Sequence, residues 1–553
     1  MSGNNALQNH AALVASLRHP AAYPHPVDTV EVIETHISTV LLAGEHAYKL
    51  KKPVEFGFAN FSTLARRREA CEAEVRLNRR TAPDLYLGVV PVTSESRDGR
   101  PRFGGDGEPL DYAVHMRRFA NGARLDQLAG TGVLDSVCID LLARAVATFH
   151  AACPRAPAHS AYGTAEQIHG WVRDTVSGLR LLTGGQRLTD LVPRVDRLAR
   201  WTETEFTRRA STFGMRRAAG WVRECHGDLH LANIVQIDGQ PVPFDCIEFN
   251  PELRFIDVAS DVAFTWMDLI DHDLPGLAAQ FLDGYLAATG DYDGLAVIRF
   301  YAVYRALVRA LVALIRRDQP DRSLADARRE LQACTRYVEV AERLTRTSLP
   351  LLVLTCGVTG SGKTTVSQHL LEHLGAVRVR SDVERKRLVG LAATEHHPQD
   401  LGAGLYDPGA TRATYARLST VAASILDAGF SAIVDATFQR RGDRHGFARL
   451  AARHGARSAL VLCEAPVPTL RARVAARSAH GGDASDATLA VLGDQLARFE
   501  PPAAGEVGLI CRIDTDADAA TFAARCLELA RALAVDASAA RQSAFKSMEV
   551  ATV

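Results

Sequence analysis

The spacing of apolar and polar positions changes character twice along the chain. From Val30 the segment VEVIETHISTVLLAGEHAYKLKKPV alternates, with a turn at AGEH, and predicts two or three antiparallel strands. FSTLARRREACEAEVRLNRR then adopts helical spacing behind a Ser62 or Thr63 cap and stops at Ala82 and Pro83. LYLGVVPV and, after a turn-rich stretch, DYAVHMRRF return to the strand period, so the residues up to 120 predict a small α+β lobe on an antiparallel sheet. From Leu125 the spacing is helical, interrupted once by NIVQIDGQPVPFDCIEF, where Asp238-Gly239 is the strongest hairpin signal in the chain. Beyond a junction at Pro350, strands and helices alternate to Leu533, the pattern of a parallel sheet covered on both faces. The tail from Asp536 has no periodic apolar face and is expected to be disordered.

These patterns divide the chain into residues 1–345, with an N-lobe at 28–120 and a C-lobe at 121–345, then 346–535, then a tail at 536–553. Composition removes several classes of partner. Lys plus Arg (64) equals Asp plus Glu (64), which gives no global basic field for nucleic acid or a membrane surface. The ten cysteines follow no metal-ligand rhythm and contain no C-x-x-C, as expected for a reduced, cytoplasmic protein. The richest apolar run, Phe300 to Arg317, is broken by Arg305 and Arg309 and reads as a helix that does not span a membrane.

The run GVTGSGKT from Gly357 to Thr364 sits between an apolar strand and the helix-like VSQHLLEHL, and matches G-x-x-x-x-G-K-[ST]. Backbone N–H groups from Gly357, Thr359, Gly360, Ser361 and Gly362 can curl around a polyphosphate, with Thr365 following at the helix start. Lys363 can reach the terminal phosphates and the Thr364 hydroxyl can sit on Mg²⁺, so ATP and Mg²⁺ are the expected cofactors. Further on, Asp382 ends AVRVRS, as base for a substrate hydroxyl or as cap of a helix carrying Arg385. Asp435 ends SAIVD and is the natural acidic partner of a P-loop magnesium. Arg473 and Arg477, four apart, share a helix face suited to clamping a γ-phosphate.

A second constellation lies in the N-terminal half. His226-Gly227-Asp228 is followed by Asn233 and, across the hairpin, by Asp245; these last two are equidistant from Gly239 and are expected side by side. Two oxygen ligands and an acceptor for a hydroxyl proton are what phosphoryl transfer from ATP requires. The arrangement resembles the catalytic loop and metal aspartate of the protein-kinase-like superfamily, and its HGD form is similar to the aminoglycoside and choline phosphotransferase branch. The resemblance implies Asp228 as base, Asn233 and Asp245 as metal ligands and His226 as the orienter of the loop. It also implies a strand lysine paired with a helix glutamate. AYKLKKPV offers Lys49 or Lys51, and the following helix Glu72 or Glu74, with Lys49 and Glu74 the better matches. The family's glycine-rich loop is missing; Thr35, His36 and Ser38 stand where it would be. Asp257 and Asp261, at i and i+4, share a helix face, and the resemblance implies that they prop the loop; His150 is expected to be a core histidine.

The C-terminal pattern resembles the small P-loop kinases grouped with zeta-toxin and chloramphenicol phosphotransferase-like proteins. Taken whole, the chain resembles a bacterial family of bifunctional aminoglycoside phosphotransferase and ATP-binding proteins, through ETHIST, AYKLKKPV, EVRLNRRTAPDLYLGVVPV, HGDLHLANI, PFDCIEFN and VTGSGKTT. That implies a kinase-like bilobal α+β fold followed by an α/β P-loop kinase domain. The implied function is phosphate transfer from Mg-ATP to hydroxyls of small molecules at two sites. A regulatory ATPase whose N-terminal half only binds ligand is the alternative.

Overall fold

The structure is a computed structural model that describes residues 2–57, 59–94, 100–185, 188–319, 323–392, 395, 407–480 and 488–549. Its described residues group into two compact units, residues 1–170 with 213–268, and residues 171–212 with 269–553.

In the first unit a six-stranded sheet runs in the order Val30–Glu34, Ser38–Ala43, His46–Lys51, Pro109–Arg117, Tyr86–Thr93, Arg102–Phe103. Strand alternation sends Leu41, Ala43, Tyr48, Leu50 and Ala113 to one face, and Ala47, Val114 and Met116 to the other. The second face packs on helix Leu64–Asn78 through Cys71 and Val75, and Thr63 caps that helix by accepting from the Arg66 N–H. The first face is covered by a helix that the sequence reading did not include, Ser2–Leu17, which contributes Val14 and Leu17. A sheet buried on both faces explains why its strands are richer in apolar residues than a clean alternation predicts.

The insertion is the hairpin Ile234–Ile237 with Gln240–Pro243. Asp238 and Gly239 both take positive φ, 50° and 76°, so the two-residue turn is centred between them. The register therefore pairs Ile234 with Pro243, and the Phe244 N–H donates to the Asn233 carbonyl at 2.9 Å. Asn233 thus faces Phe244, and Asp245 arrives one residue later than a turn centred on Gly239 predicts.

The second unit holds five parallel strands in the order Val377–Arg380, Ala432–Asp435, Leu351–Cys356, Arg457–Glu464, Leu509–Asp514. The P-loop joins the central strand to helix Lys363–Leu374. This unit also includes the long helices Leu295–Arg317 and Leu324–Thr345, so the contact units do not divide the chain at residue 345. Helix Pro275–Thr289 buries Ala279 in the same cluster as Val366 and Leu370 of the P-loop helix. The last helix runs from Ala519 to Glu549, well past Asp536; ASAARQSAFKSME contains neither Pro nor Gly to stop it.

Among the described residues no helix is long and apolar enough to cross a membrane. All ten cysteines are free, nine of them buried.

Candidate functional site

In the first unit, strand His46–Lys51 turns Lys49 and Lys51 toward helix Leu64–Asn78, and both lysines meet Glu74. Lys49 Nζ lies 2.8 Å from Glu74 Oε1 and 2.5 Å from Asp245 Oδ1. Lys51 Nζ pairs with the other oxygen of Glu74 and with Glu248. Glu72 points away, in a surface pair with Arg68. The two lysines differ in access: the Lys51 and Glu248 side chains are 0% and 3% exposed, whereas Asp245 is 40% exposed. Burial opposes charge throughout this cluster and raises the Glu248 pKa, but Asp245 and Glu74 keep Lys49 well above its ordinary value, and the two lysines hold the Glu74 carboxyl below the usual carboxylate range. Glu248 lies three residues beyond Asp245 and was not predicted; nothing local in PFDCIEF distinguishes it.

The HGD loop is held from beneath. Asp261 accepts from the His226 and Gly227 N–H groups, both at 2.9 Å, and is 3.2 Å from His150 Nε2. His150 is therefore the expected buried histidine, with a defined partner. Asp257 instead forms a two-point pair with Arg216, at 2.7 and 2.8 Å, so only one of the two aspartates meets the loop. His226 Nε2 donates to the Phe244 carbonyl at 2.9 Å while its Nδ1 accepts the Asp228 N–H at 3.3 Å. One neutral tautomer satisfies both bonds, and burial lowers the His226 pKa in keeping with it. Gly227 has φ 86°, and a Cβ there would meet the Leu253 carbonyl at 2.7 Å, so the close approach requires glycine. Asn233 Nδ2 donates to Asp228 Oδ2 at 2.9 Å, fixing that carboxylate. Asp245 takes φ 63° and donates its N–H to the Tyr86 hydroxyl at 3.1 Å. Asp228, Asn233 and Asp245 offer only hard oxygen donors, the set that suits Mg²⁺. Where a glycine loop was missing, Thr35 and Ser38 close a tight turn, with Thr35 Oγ1 donating to the Ser38 carbonyl at 2.8 Å, and His36 stacks on Phe56.

In the second unit the loop Gly357–Gly362 uses positive φ at Gly357, Gly360 and Gly362. Lys363 Nζ donates to the Val358 carbonyl at 2.8 Å. Thr364 Oγ1 donates to Asp435 Oδ2 at 2.9 Å, so the expected hydroxyl and carboxylate meet, again a hard-oxygen pair fit for Mg²⁺. Asp435 also accepts from Thr355 at 3.1 Å and Ser367 at 3.3 Å. Thr365 is exposed at the start of the helix. Asp382 lies in the first turn of helix Ser381–Leu388, whose cap position is Arg380, so it is not the cap. Desolvation raises its pKa despite Arg380 and Arg385, an environment suited to a proton acceptor. Arg473 bonds the Gly360 carbonyl at 3.3 Å and the Thr515 carbonyl at 2.7 Å, and Arg477 bonds Thr359 Oγ1 at 2.8 Å. Gln495, not predicted, accepts the Thr359 N–H at 2.7 Å.

Residues 352–502 match the AAA domain family. The uncharacterized protein Rv2004c of Mycobacterium tuberculosis is 32% identical over 483 residues, spanning 86% of this chain and 92% of its own. The chain belongs to the same family as this mycobacterial protein. Mb2027c of Mycobacterium bovis matches with the same figures. Among solved structures, spectinomycin phosphotransferase in complex with ADP and spectinomycin is 13% identical, covering 60% of this chain and 98% of its own, with a TM-score of 0.38. A putative kinase from Chloroflexus aurantiacus is 23% identical, covering 32% of this chain and 96% of its own, with a TM-score of 0.26. The AAA-domain match covers the P-loop and most of the parallel sheet of the second unit, while the antiparallel sheet and the HGD loop belong to the first.

Proposed function

We propose that the chain is an ATP-dependent phosphotransferase with two nucleotide sites, residues 1–345 and 346–535, each transferring phosphate from Mg-ATP to a hydroxyl of a small molecule. The observation that carries this reading is the bridge from Glu74 through Lys49 to Asp245, standing in the same unit as the Asn233-oriented Asp228. In this reading Lys49 orients nucleotide phosphates, Asn233 and Asp245 hold magnesium, and Asp228 takes the proton of the acceptor hydroxyl while His226 keeps its loop in place. The magnesium that these residues would hold would supply positive charge to neutralise the phosphate during transfer. In the P-loop module Lys363, the loop amides, Thr365, Arg473 and Arg477 contact phosphate, Thr364 and Asp435 hold magnesium, and Asp382 receives the acceptor proton. The fit is to a cytoplasmic enzyme acting on small molecules.

The test is phosphorus NMR of the full chain with Mg-ATP and a pooled metabolite extract, comparing Asp228→Ala with Lys363→Ala. Each variant is expected to lose a different phosphorylated product. If Asp228→Ala changes nothing while Lys363→Ala abolishes turnover, the N-terminal module is a ligand-binding regulator of an ATPase. The closed Thr35–Ser38 turn in place of a glycine loop favours that second reading.

A further inference from the structure

Strand Val377–Arg380 carries an arginine that the P-loop chemistry does not use. Arg378 is buried, and one arm of its guanidinium donates to the Thr364 carbonyl at 3.3 Å and to Ser367 Oγ at 3.1 Å. The other arm donates to Gln368 Oε1 at 2.8 Å and to Asp283 Oδ2 at 2.9 Å. Asp283 comes from helix Pro275–Thr289, far upstream of the P-loop, and its second oxygen accepts the Arg378 backbone N–H at 2.8 Å. One carboxylate thus clamps both the backbone and the side chain of the same residue.

Ser367 Oγ, which accepts from Arg378, lies 3.3 Å from Asp435 Oδ2, the oxygen that also receives the Thr364 hydroxyl. A single hydroxyl therefore separates a buried guanidinium from the carboxylate read as a magnesium partner. After Asp283, Asp435 is the next carboxylate acting on Arg378. At this range and burial the attraction between the two is poorly screened, and a direct pair would occupy the carboxylate that the metal needs.

We propose that Asp283 is a positioning residue of the P-loop centre: by holding Arg378 it keeps the guanidinium off Asp435 and leaves that carboxylate to the metal of a bound nucleotide. The proposal rests on the magnesium role assigned to Thr364 and Asp435. It makes metal affinity at the P-loop depend on a helix contributed by the phosphotransferase-like part of the sequence.

The experiment uses the full chain carrying Asp245→Asn throughout, so that the P-loop centre is the one titrated, and follows Mn²⁺ by EPR with ADP present. Asp283→Asn is expected to weaken Mn²⁺ binding about tenfold, the effect of a modest buried-charge interaction, with ADP binding in the absence of metal unchanged. Adding Arg378→Met removes the freed guanidinium, leaves Arg380 Nε 3.8 Å from Asp435 Oδ2 as in the parent, and is expected to restore Mn²⁺ affinity to within threefold of the parent. A lower melting temperature for Asp283→Asn with unchanged Mn²⁺ affinity would overturn the proposal, since a purely structural clamp behaves that way. Should Asp283→Asn not fold, the double variant, which leaves no unpaired charge, decides: parent-like affinity supports the proposal and a tenfold loss overturns it. If the parent itself binds no Mn²⁺ with ADP, the magnesium role of Thr364 and Asp435 fails instead, and the inference falls with it.

Discussion

Lys49 and Lys51 share one strand face and one glutamate, yet they serve different ends. Lys51 has no exposed surface and satisfies Glu248 and Glu74, whereas Lys49 reaches the half-exposed Asp245. Lys51→Met should therefore cost about 3–5 kcal/mol of stability, measured by denaturant unfolding, because the buried Glu248 loses its paired cation and Glu74 keeps only Lys49. Lys49→Met should leave the fold in place and remove the product attributed to Asp228, as read by phosphorus NMR. Period-two spacing showed that both lysines face one way, but not which one the carboxylates would bury; that depends on Glu248, 197 residues distant from Lys51. The same limit explains Asp245. The residues of the hairpin were legible, while the one-residue register depended on positive φ at both Asp238 and Gly239. The motif residues themselves were readable because P-loop and HGD chemistry fixes residue type at short spacing. Glu248, Asp283, Arg378 and Gln495 act through distant partners and leave no such local trace.

At the scale of elements, the helix Ser2–Leu17 closes the back of the antiparallel sheet, and it carries a titratable group into the closure. His10 is buried, with its Nε2 3.1 Å from Thr39 Oγ1, and that hydroxyl lies 3.1 Å from Glu34 Oε2. Glu34 accepts the one Thr39 proton, so Thr39 accepts from His10 Nε2–H. Burial lowers the His10 pKa to about 4 from an ordinary 6.5. The unfolded chain thus takes up the proton first: the stabilisation is whole above pH 6.5 and is lost as the pH falls toward about 4. Urea unfolding across that window should show stability dropping with acid, and His10→Gln should flatten the slope. An unchanged slope would mean that the helix does not stay docked on the sheet. Its spacing of His10, Val14 and Leu17 was the available signal for this element, but too short an apolar stripe to reveal that it covers a sheet.

At the scale of the molecule, the boundary drawn from the sequence and the boundary drawn by contacts differ for a physical reason. The Pro350 junction separates two sequence patterns, but helix Pro275–Thr289 puts Ala279 into the core of the parallel sheet and Asp283 onto Arg378. A helix that shares an apolar cluster with the P-loop helix and a buried ion pair with strand Val377–Arg380 should open with them rather than with the antiparallel lobe. Hydrogen exchange on the full chain tests this directly. Residues 279–288 and 366–371 are expected to exchange with opening free energies within about 1 kcal/mol of each other, as members of one cooperative unit do. Adding ADP with Mg²⁺ should slow both segments together, because a ligand stabilises every segment whose opening destroys its site. Asp283→Asn should speed both. If exchange at 279–288 instead follows the strands at 38–51 and ignores nucleotide at the P-loop, the helix belongs energetically to the first unit. The P-loop module would then be an independent domain joined at Pro350, as its sequence pattern alone suggests.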